Sequence, residues 1–133
     1  MLKLEIVTPE KRILDADVDS VTIPTASGEA GILPNHAPLI SALKPGILTY
    51  TSKGATDRLV VTGGFVEVNA DKVAILADSA EGPDEINAEA ARSDREAAEK
   101  ELSASASAPV EETELIRERI ESANAKLQLV VVK

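Results

Sequence analysis

One stretch of this 133-residue chain combines two glycines, two prolines and the single histidine: Gly28-Glu29-Ala30-Gly31-Ile32-Leu33-Pro34-Asn35-His36-Ala37-Pro38-Leu39. Glycine permits positive φ, whereas proline fixes φ and removes a backbone donor. The stretch therefore cannot form a long helix or a plain central strand, and it predicts a rigid, turn-rich rim. Such a rim either only reverses the chain or presents Glu29, Ile32 and His36 at set angles, and turn residues alone leave both interpretations open.

On both sides of the rim, residues 1 to about 82 carry short strand signals. Leu2, Leu4 and Ile6 alternate with charged residues, which is the period-2 pattern of a strand with one buried face. Further strands are predicted at Val18–Ile23, Gly46–Thr51, Arg58–Thr62, Phe65–Val68 and Val73–Ala77. Two hairpins are predicted among them, turning at 52–56 and 69–71. Many short strands with Gly and Pro turns predict a β-sandwich or flattened barrel over residues 1–83.

The composition changes at Gly82-Pro83, and residues 84–133 predict an antiparallel helical hairpin. The first helix is expected at about 87–103, with Asn87 as its N-cap and a thin apolar stripe of Ala91, Ala98 and Leu102. A Ser-Ala link then leads to a second helix at about 110–129. Its apolar seam follows heptad spacing: Ile116, Ile120, Ala123, Leu127 and Val130. The β-branched end, residues 129–133, is expected to fray or to pack elsewhere.

The partner of this seam decides what the hairpin does. The alanine-rich first helix offers little area, and burial yields only about 25 cal/mol per Å² of apolar surface. The hairpin is then either a static cap on the sandwich or a weakly held element that can open. The seam could instead pair with a second chain, which would make the protein a free-standing adaptor that dimerises through its helical tail.

Composition excludes several classes of function. A net charge of -9 argues against nucleic-acid binding, which needs basic side chains to neutralise phosphates. No apolar run reaches the roughly 20 residues that span a bilayer, so no direct membrane insertion is expected. With no cysteine and one histidine, no catalytic constellation, metal site or cofactor site is predicted. The chain is therefore not expected to be an enzyme in its own right.

Four segments of the chain resemble one family in the same order. The rim is similar to the signature of the epsilon subunit of rotary ATP synthases, which is called delta in mitochondria. Leu4–Glu10 resembles the first strand and turn of that family, Val61–Val68 its Gly-Gly strand, and Val73–Glu81 the strand before its helices. Together the four matches cover about two thirds of the chain.

The resemblance implies a β-sandwich with a C-terminal helical hairpin and a role in the central rotor. The partners implied are the gamma subunit, the c-ring of the membrane sector and the alpha and beta subunits of the catalytic head. Through them the subunit couples proton flow to ATP synthesis, from the cytoplasmic face of the bacterial inner membrane. The rim matches the region that contacts the c-ring in the family, so Glu29, Ile32 and His36 are the candidate ring contacts.

In the hairpin the chain departs from the family pattern. Some bacterial members bind ATP through Ile-Asp-x-x-Arg-Ala, and here Asn87 and Ala90 replace the Asp and the Arg between Ile86 and Ala91. Because the charged groups are missing, ATP binding is expected to be weak or absent. The hairpin also inhibits ATP hydrolysis in many members. The candidate head contacts here are Arg117, Arg119 and Lys126, on a helix that is net acidic.

Overall fold

The computed structural model describes residues 1–131 of the chain. Strands fill the first part and helices the second, as the change of composition at Gly82-Pro83 predicts. The strands are β1 Leu2–Val7, β2 Arg12–Val18, β3 Ser20–Thr25, β4 Gly28–Ile32, β5 Leu39–Ala42, β6 Gly46–Ser52, β7 Ala55–Asn69 and β8 Lys72–Glu81. A single 3-10 turn, Pro83–Glu85, leads to the helices α1 Ala88–Ala104 and α2 Val110–Val131.

The eight strands form one mixed sheet in the order β2-β1-β8-β7-β6-β3-β4, with β5 also paired to β7. Only the β1–β8 pair is parallel among the described strands, and the others are antiparallel. Both predicted hairpins are present, as β6–β7 and β7–β8. A sandwich-like sheet followed by two helices confirms the predicted fold class.

The long strand β7 turns a corner at Gly63-Gly64. Before the corner it pairs with β6, and from Phe65 onward it pairs with β5. Inward-facing residues are Leu59 and Val61 before the corner but Val66 and Val68 after it, so the alternation slips by one residue. Both glycines have positive φ, at 62° and 102°. The sheet can therefore fold over on itself and enclose one core.

That core is aliphatic, since the chain is nearly free of aromatic residues. Leu2, Leu4 and Ile6 of β1 are fully buried, as their alternation predicts. They pack in one cluster with residues from strands at the far end of the sheet, including Ile23 and Ile32. Burial of such side chains supplies about 1.5–3 kcal/mol each, which makes this cluster the main source of stability.

Three strand predictions need correction. Val18–Ile23 is not one strand, because β2 ends at Val18 and β3 begins at Ser20, with Asp19 between them. Arg58–Thr62 and Phe65–Val68 are parts of the single strand β7, whose glycine pair bends the strand without ending it. The rim begins with a strand, β4, but this strand lies at one end of the sheet beside β3, in agreement with the prediction that the rim is not a central strand.

The helices begin close to their predicted starts. The side-chain oxygen of Asn87 accepts a hydrogen bond from the Ala90 amide at 3.0 Å, so Asn87 is the N-cap. Ala91 and Ala98 are buried. The second helix continues through Val131, and Leu129 is buried against the sheet, so of the two predicted alternatives fraying is wrong and packing is found at Leu129. Val132 and Lys133 lie outside the described residues.

Helix α2 packs within the chain, and Ala123 of its predicted seam is buried. The two helices pack against each other, and α2 also docks on β6 and β7. Leu129 and Ala125 of α2 form a small cluster with Val60 of β7, and Ile47 and Ile86 pack against it. A helix–helix hairpin inside one chain uses the surface that dimerisation would need, which argues against the adaptor that dimerises through its tail.

Candidate interaction surface

The rim is a short edge strand followed by a tight turn, Leu33–His36. The His36 amide donates to the Leu33 carbonyl at 3.2 Å, which closes the turn. Asn35 adopts a φ of 67°, a conformation that asparagine tolerates better than most residues. Pro34 precedes it and fixes its own φ. We call Leu33–His36 the rim turn, and it presents Leu33 at the surface with 63% of its area exposed.

The three predicted ring contacts do not form one cluster. Glu29 is exposed near the start of β4, where it lines a groove beside Gln128 of α2. His36 lies beyond the other end of the strand, and its Nδ1 is 2.6 Å from the Ala37 carbonyl oxygen. At a rise of about 3.3 Å per residue, β4 itself separates the two regions by roughly 10 Å.

Ile32 needs correction, because it is 1% exposed and belongs to the core. Ile32 and Ala30 point inward from β4, and Glu29 and Gly31 point outward, so strand alternation decides their burial. The surface apolar area assigned to Ile32 is supplied by its neighbour Leu33. Ile32 instead anchors the rim from beneath.

A second candidate surface lies on the outer side of the sheet. Ile40, Phe65 and Leu76 are 74%, 60% and 55% exposed. Phe65 of β7 is directly opposite Leu76 of β8 and Ala42 of β5, and Ile40 stands two residues before Ala42. Residues at i and i+2 share a face, so the three large side chains lie on three neighbouring strands. We call this set the apolar face.

Within residues 1–131, helix α2 covers one outer side of the folded sheet, whereas the other outer side remains exposed. Helix α2 buries Val60 and packs against Ile47 on the β6–β7 side. No described element covers Phe65 and Leu76 to the same degree, since more than half of each side chain remains accessible. Exposed clusters of large apolar residues are uncommon on monomers and mark interaction sites.

The apolar face is continuous with the rim. Pro38, Leu39 and Ile40 follow the rim turn after one intervening residue, Ala37, and line a shallow groove with the last residues of β7. A partner that covers the apolar face therefore reaches the rim turn with little additional surface. The sequence contained a signal for this face. Phe65 and Glu67 are two residues apart on β7 and therefore point to the same side of the strand, so an aromatic ring lies on the side that carries a charged residue.

The residues of the degenerate ATP motif have structural roles. Asn87 caps α1, as described above, and Ala91 is buried in the hairpin. Ile86 packs against the small cluster beneath α2. Ala90 is exposed and donates its amide to the Asn87 cap. Weak or absent ATP binding stays a prediction.

The three candidate head contacts are engaged within the chain. Lys126 Nζ lies 3.1 Å from Glu81 Oε1 and so joins α2 to the end of β8. Arg119 pairs with Glu101 across the hairpin. Arg117 donates to the Val110 carbonyl at 2.6 Å and to the Thr113 hydroxyl at 3.3 Å. Lys126 thus ties α2 to the sheet and Arg119 ties it to α1, whereas both bonds of Arg117 lie within α2 itself.

A candidate metal site and a membrane-spanning helix are both absent from the described part of the chain. Residues 1–131 contain no group of three or more histidine or carboxylate side chains that could hold a metal ion. No helix among them is both long enough and apolar enough to cross a bilayer.

The comparisons agree with this architecture. A family model described as the beta-sandwich domain of the ATP synthase delta/epsilon chain matches residues 1–83. The ATP synthase epsilon chain of Carboxydothermus hydrogenoformans is 48% identical over 101 residues, covering 76% of this chain and 75% of that protein. The epsilon chain of Nitratidesulfovibrio vulgaris is 41% identical over 128 residues, covering 96% and 87%.

A solved structure extends the likeness to both parts of the fold. In the cryo-EM structure of the Euglena gracilis mitochondrial ATP synthase, which contains OSCP, F1 and the c-ring, one chain superposes with a TM-score of 0.79. That chain is 28% identical, and the match covers 98% of this chain and 81% of the other. The family model and the relatives together show that this chain belongs to the epsilon chains of the ATP synthase.

Proposed function

We propose that this non-catalytic central-stalk subunit binds the gamma subunit through the apolar face and the c-ring through the rim. The observation that carries the proposal is the exposed set Ile40, Phe65 and Leu76, which is continuous with the rim turn. Two partners that meet at one edge of the sandwich would be joined through it. In this way rotation of the ring would pass to the gamma subunit and couple proton flow to ATP synthesis.

The chemistry of the rim suits a small polar partner surface. Glu29 carries an exposed carboxylate that can pair with a basic loop, and Leu33 supplies apolar area. His36 adds a polar ring at the far side of the rim turn. The ring contact is therefore proposed for Glu29, Leu33 and His36, and Ile32 supports them from the core. The subunit would lie on the cytoplasmic face of the bacterial inner membrane as a peripheral component of the complex.

A binding experiment tests both contacts. The tagged full-length chain is mixed separately with the purified gamma subunit and with the purified c-ring, and the bound fraction is measured against concentration. Stoichiometric binding to gamma supports the stalk arrangement, and a well-folded chain that fails to bind gamma contradicts it.

The Glu29→Gln variant tests the charge at the rim. Removing an exposed charge from an interface typically costs about 0.2–1 kcal/mol, so we expect roughly 1.4- to fivefold weaker ring binding and a smaller dependence on salt. Binding to gamma should stay unchanged. Glu111→Gln, an exposed carboxylate at the start of α2, is the matched control. Equal ring affinity of the two variants would contradict a role for Glu29.

The hairpin is proposed to regulate ATP hydrolysis by the catalytic head. The docked position depends on a small apolar cluster around Leu129 and on the ion pair between Lys126 and Glu81. The ion pair is partly buried and contributes on the order of 1 kcal/mol, and exposing Leu129 and Val60 costs about 1.5–3 kcal/mol each, so undocking requires compensating contacts with the head. Undocking would free Lys126 to meet acidic segments of the alpha and beta subunits, and opening of the hairpin would free Arg119 from Glu101, whereas Arg117 keeps its bonds within α2.

Truncation after Gly82 should therefore raise the ATPase activity of the assembled complex, because the inhibitory element is removed. Activity is measured on complexes rebuilt with either the truncated or the full-length chain. The truncated chain must bind gamma as tightly as the full-length chain, which separates loss of inhibition from loss of assembly. Unchanged activity in fully assembled complexes would contradict inhibition by the hairpin.

A further inference from the structure

A side chain outside the rim holds the rim turn in place. Asp71 lies in the turn between β7 and β8 and is distant from the rim in sequence. Its Oδ1 accepts a hydrogen bond from the backbone amide of Asn35 at 2.9 Å, across 36 residues of chain. An ionised carboxylate that accepts from a backbone amide forms a charge-assisted bond, which is stronger than a neutral one.

Asp71 is itself fixed by its backbone. Its carbonyl accepts the Lys3 amide at 2.7 Å, at the point where β1 begins its parallel pairing with β8. The contacts therefore run from the buried strand β1 to Asp71 and from Asp71 to the rim turn. Each step is a hydrogen bond to a backbone group, so the position of the rim turn follows that of the sheet.

The rim turn needs such a support. Its closing hydrogen bond, from the His36 amide to the Leu33 carbonyl, is long at 3.2 Å, and Asn35 adopts a positive φ. Leu33 is mostly exposed, so its side chain contributes little to holding the turn against the core. A turn with a weak internal bond and little buried area keeps one conformation only when other contacts determine it.

We infer that Asp71 is a positioning residue for the surface that contacts the c-ring. It would not touch the ring itself but would hold Leu33 and His36 at the angle that the ring requires. The inference rests on the ring contact proposed above. It assigns a distinct role to the carboxylate, because a turn residue that only reversed the chain would have no bond to the rim.

The test compares Asp71→Ala with Asp71→Asn in the full-length chain. Asparagine keeps an oxygen that can accept from the Asn35 amide, whereas alanine removes it. Hydrogen exchange of the Asn35 amide is measured by NMR, and affinity is measured with the purified c-ring. For Asp71→Ala we expect exchange and the ring dissociation constant each to rise roughly five- to tenfold, the size expected for loss of one solvent-exposed hydrogen bond. Asp71→Asn should recover most of both.

The controls separate the hydrogen bond between Asn35 and Asp71 from the proposed contact with the c-ring. Asp94→Ala alters an exposed carboxylate of α1 and should change neither measurement. If hydrogen exchange of the Asn35 amide were unchanged in Asp71→Ala, the bond to Asp71 would not support the rim turn, and the inference would be overturned. If the Asn35 amide exchanged faster in Asp71→Ala but ring affinity stayed normal, while the separate Glu29→Gln variant weakened ring binding, the positioning role would be overturned. Normal ring affinity in both Asp71→Ala and Glu29→Gln would instead overturn the ring contact of the rim on which the inference depends.

Discussion

Replacing Gly64 by alanine should destabilise the protein by about 3 kcal/mol or more, because strain and a backbone clash act together. Gly64 has a φ of 102°, which side chains other than hydrogen rarely permit. A Cβ at this position would also lie 1.9 Å from the Leu76 carbonyl oxygen and 2.9 Å from the Ala77 Cα. Relief would require β7 and β8 to separate where the sheet turns its corner. Thermal unfolding should record a decrease in Tm of about 10 °C.

Two other glycines provide the controls. Gly28 has a φ of 115°, but a Cβ added there would meet open space, so Gly28→Ala should show the strain alone, about 1 kcal/mol. Gly31 has neither positive φ nor a nearby atom, and Gly31→Ala should stay within about 0.5 kcal/mol of the parent. A Gly64→Ala protein as stable as Gly31→Ala would contradict the constraint at the corner.

The elements with strong local signals could be predicted from the sequence. The alternation of Leu2, Leu4 and Ile6 fixes which face of β1 is buried, and the cap at Asn87 fixes where α1 begins. The two hairpins follow from their Gly and Asn turns. These features depend on neighbours a few residues away, which is the range over which sequence patterns carry information.

Features that depend on distant contacts could not be predicted in the same way. Ile32 is buried because β4 joins the sheet beside β3, although glycines and prolines around it indicate a loop. The Gly63-Gly64 pair resembles a strand break, but pairing with β8 on one side continues through it. The bond from Asp71 to Asn35 spans 36 residues and has no local signature. Long-range pairing decided all three.

The apolar face is an intermediate case. The sequence indicates that Phe65 points outward, but it does not indicate that other large apolar side chains lie beside it. On β7, Val66 and Val68 face the core, so Phe65 must share the outer side with Glu67. An outward phenylalanine alone is ordinary, since single apolar residues are common on surfaces. Only the pairing of three strands shows that Ile40 and Leu76 lie beside it.

Replacing Phe65 by aspartate should weaken binding to the gamma subunit by about 100-fold or more, a loss typical of an aromatic residue at the centre of an interface. Phe65 is 60% exposed in this chain, so removal of its ring leaves the core intact and the free energy of unfolding should change little. In the complex, the same position would place an unpaired carboxylate against apolar surface, which adds a desolvation cost. Titration of the purified gamma subunit with each chain measures the effect, and circular dichroism checks that the variant is folded.

Leu115→Asp is the control for the added charge, because Leu115 is 75% exposed and lies on α2 rather than on a strand of the apolar face, in a groove with Gly63 and Asp78 beside that face. It introduces the same charge in place of an exposed apolar side chain and should leave gamma affinity unchanged. Leu76→Asp, directly opposite Phe65 on β8, should reproduce the loss, since both side chains would be covered by one partner. Normal gamma affinity in both Phe65→Asp and Leu76→Asp would show that gamma binds elsewhere. If Leu115→Asp weakened binding as much as Phe65→Asp, general repulsion by the added charge would explain the loss, because the variants share nothing else.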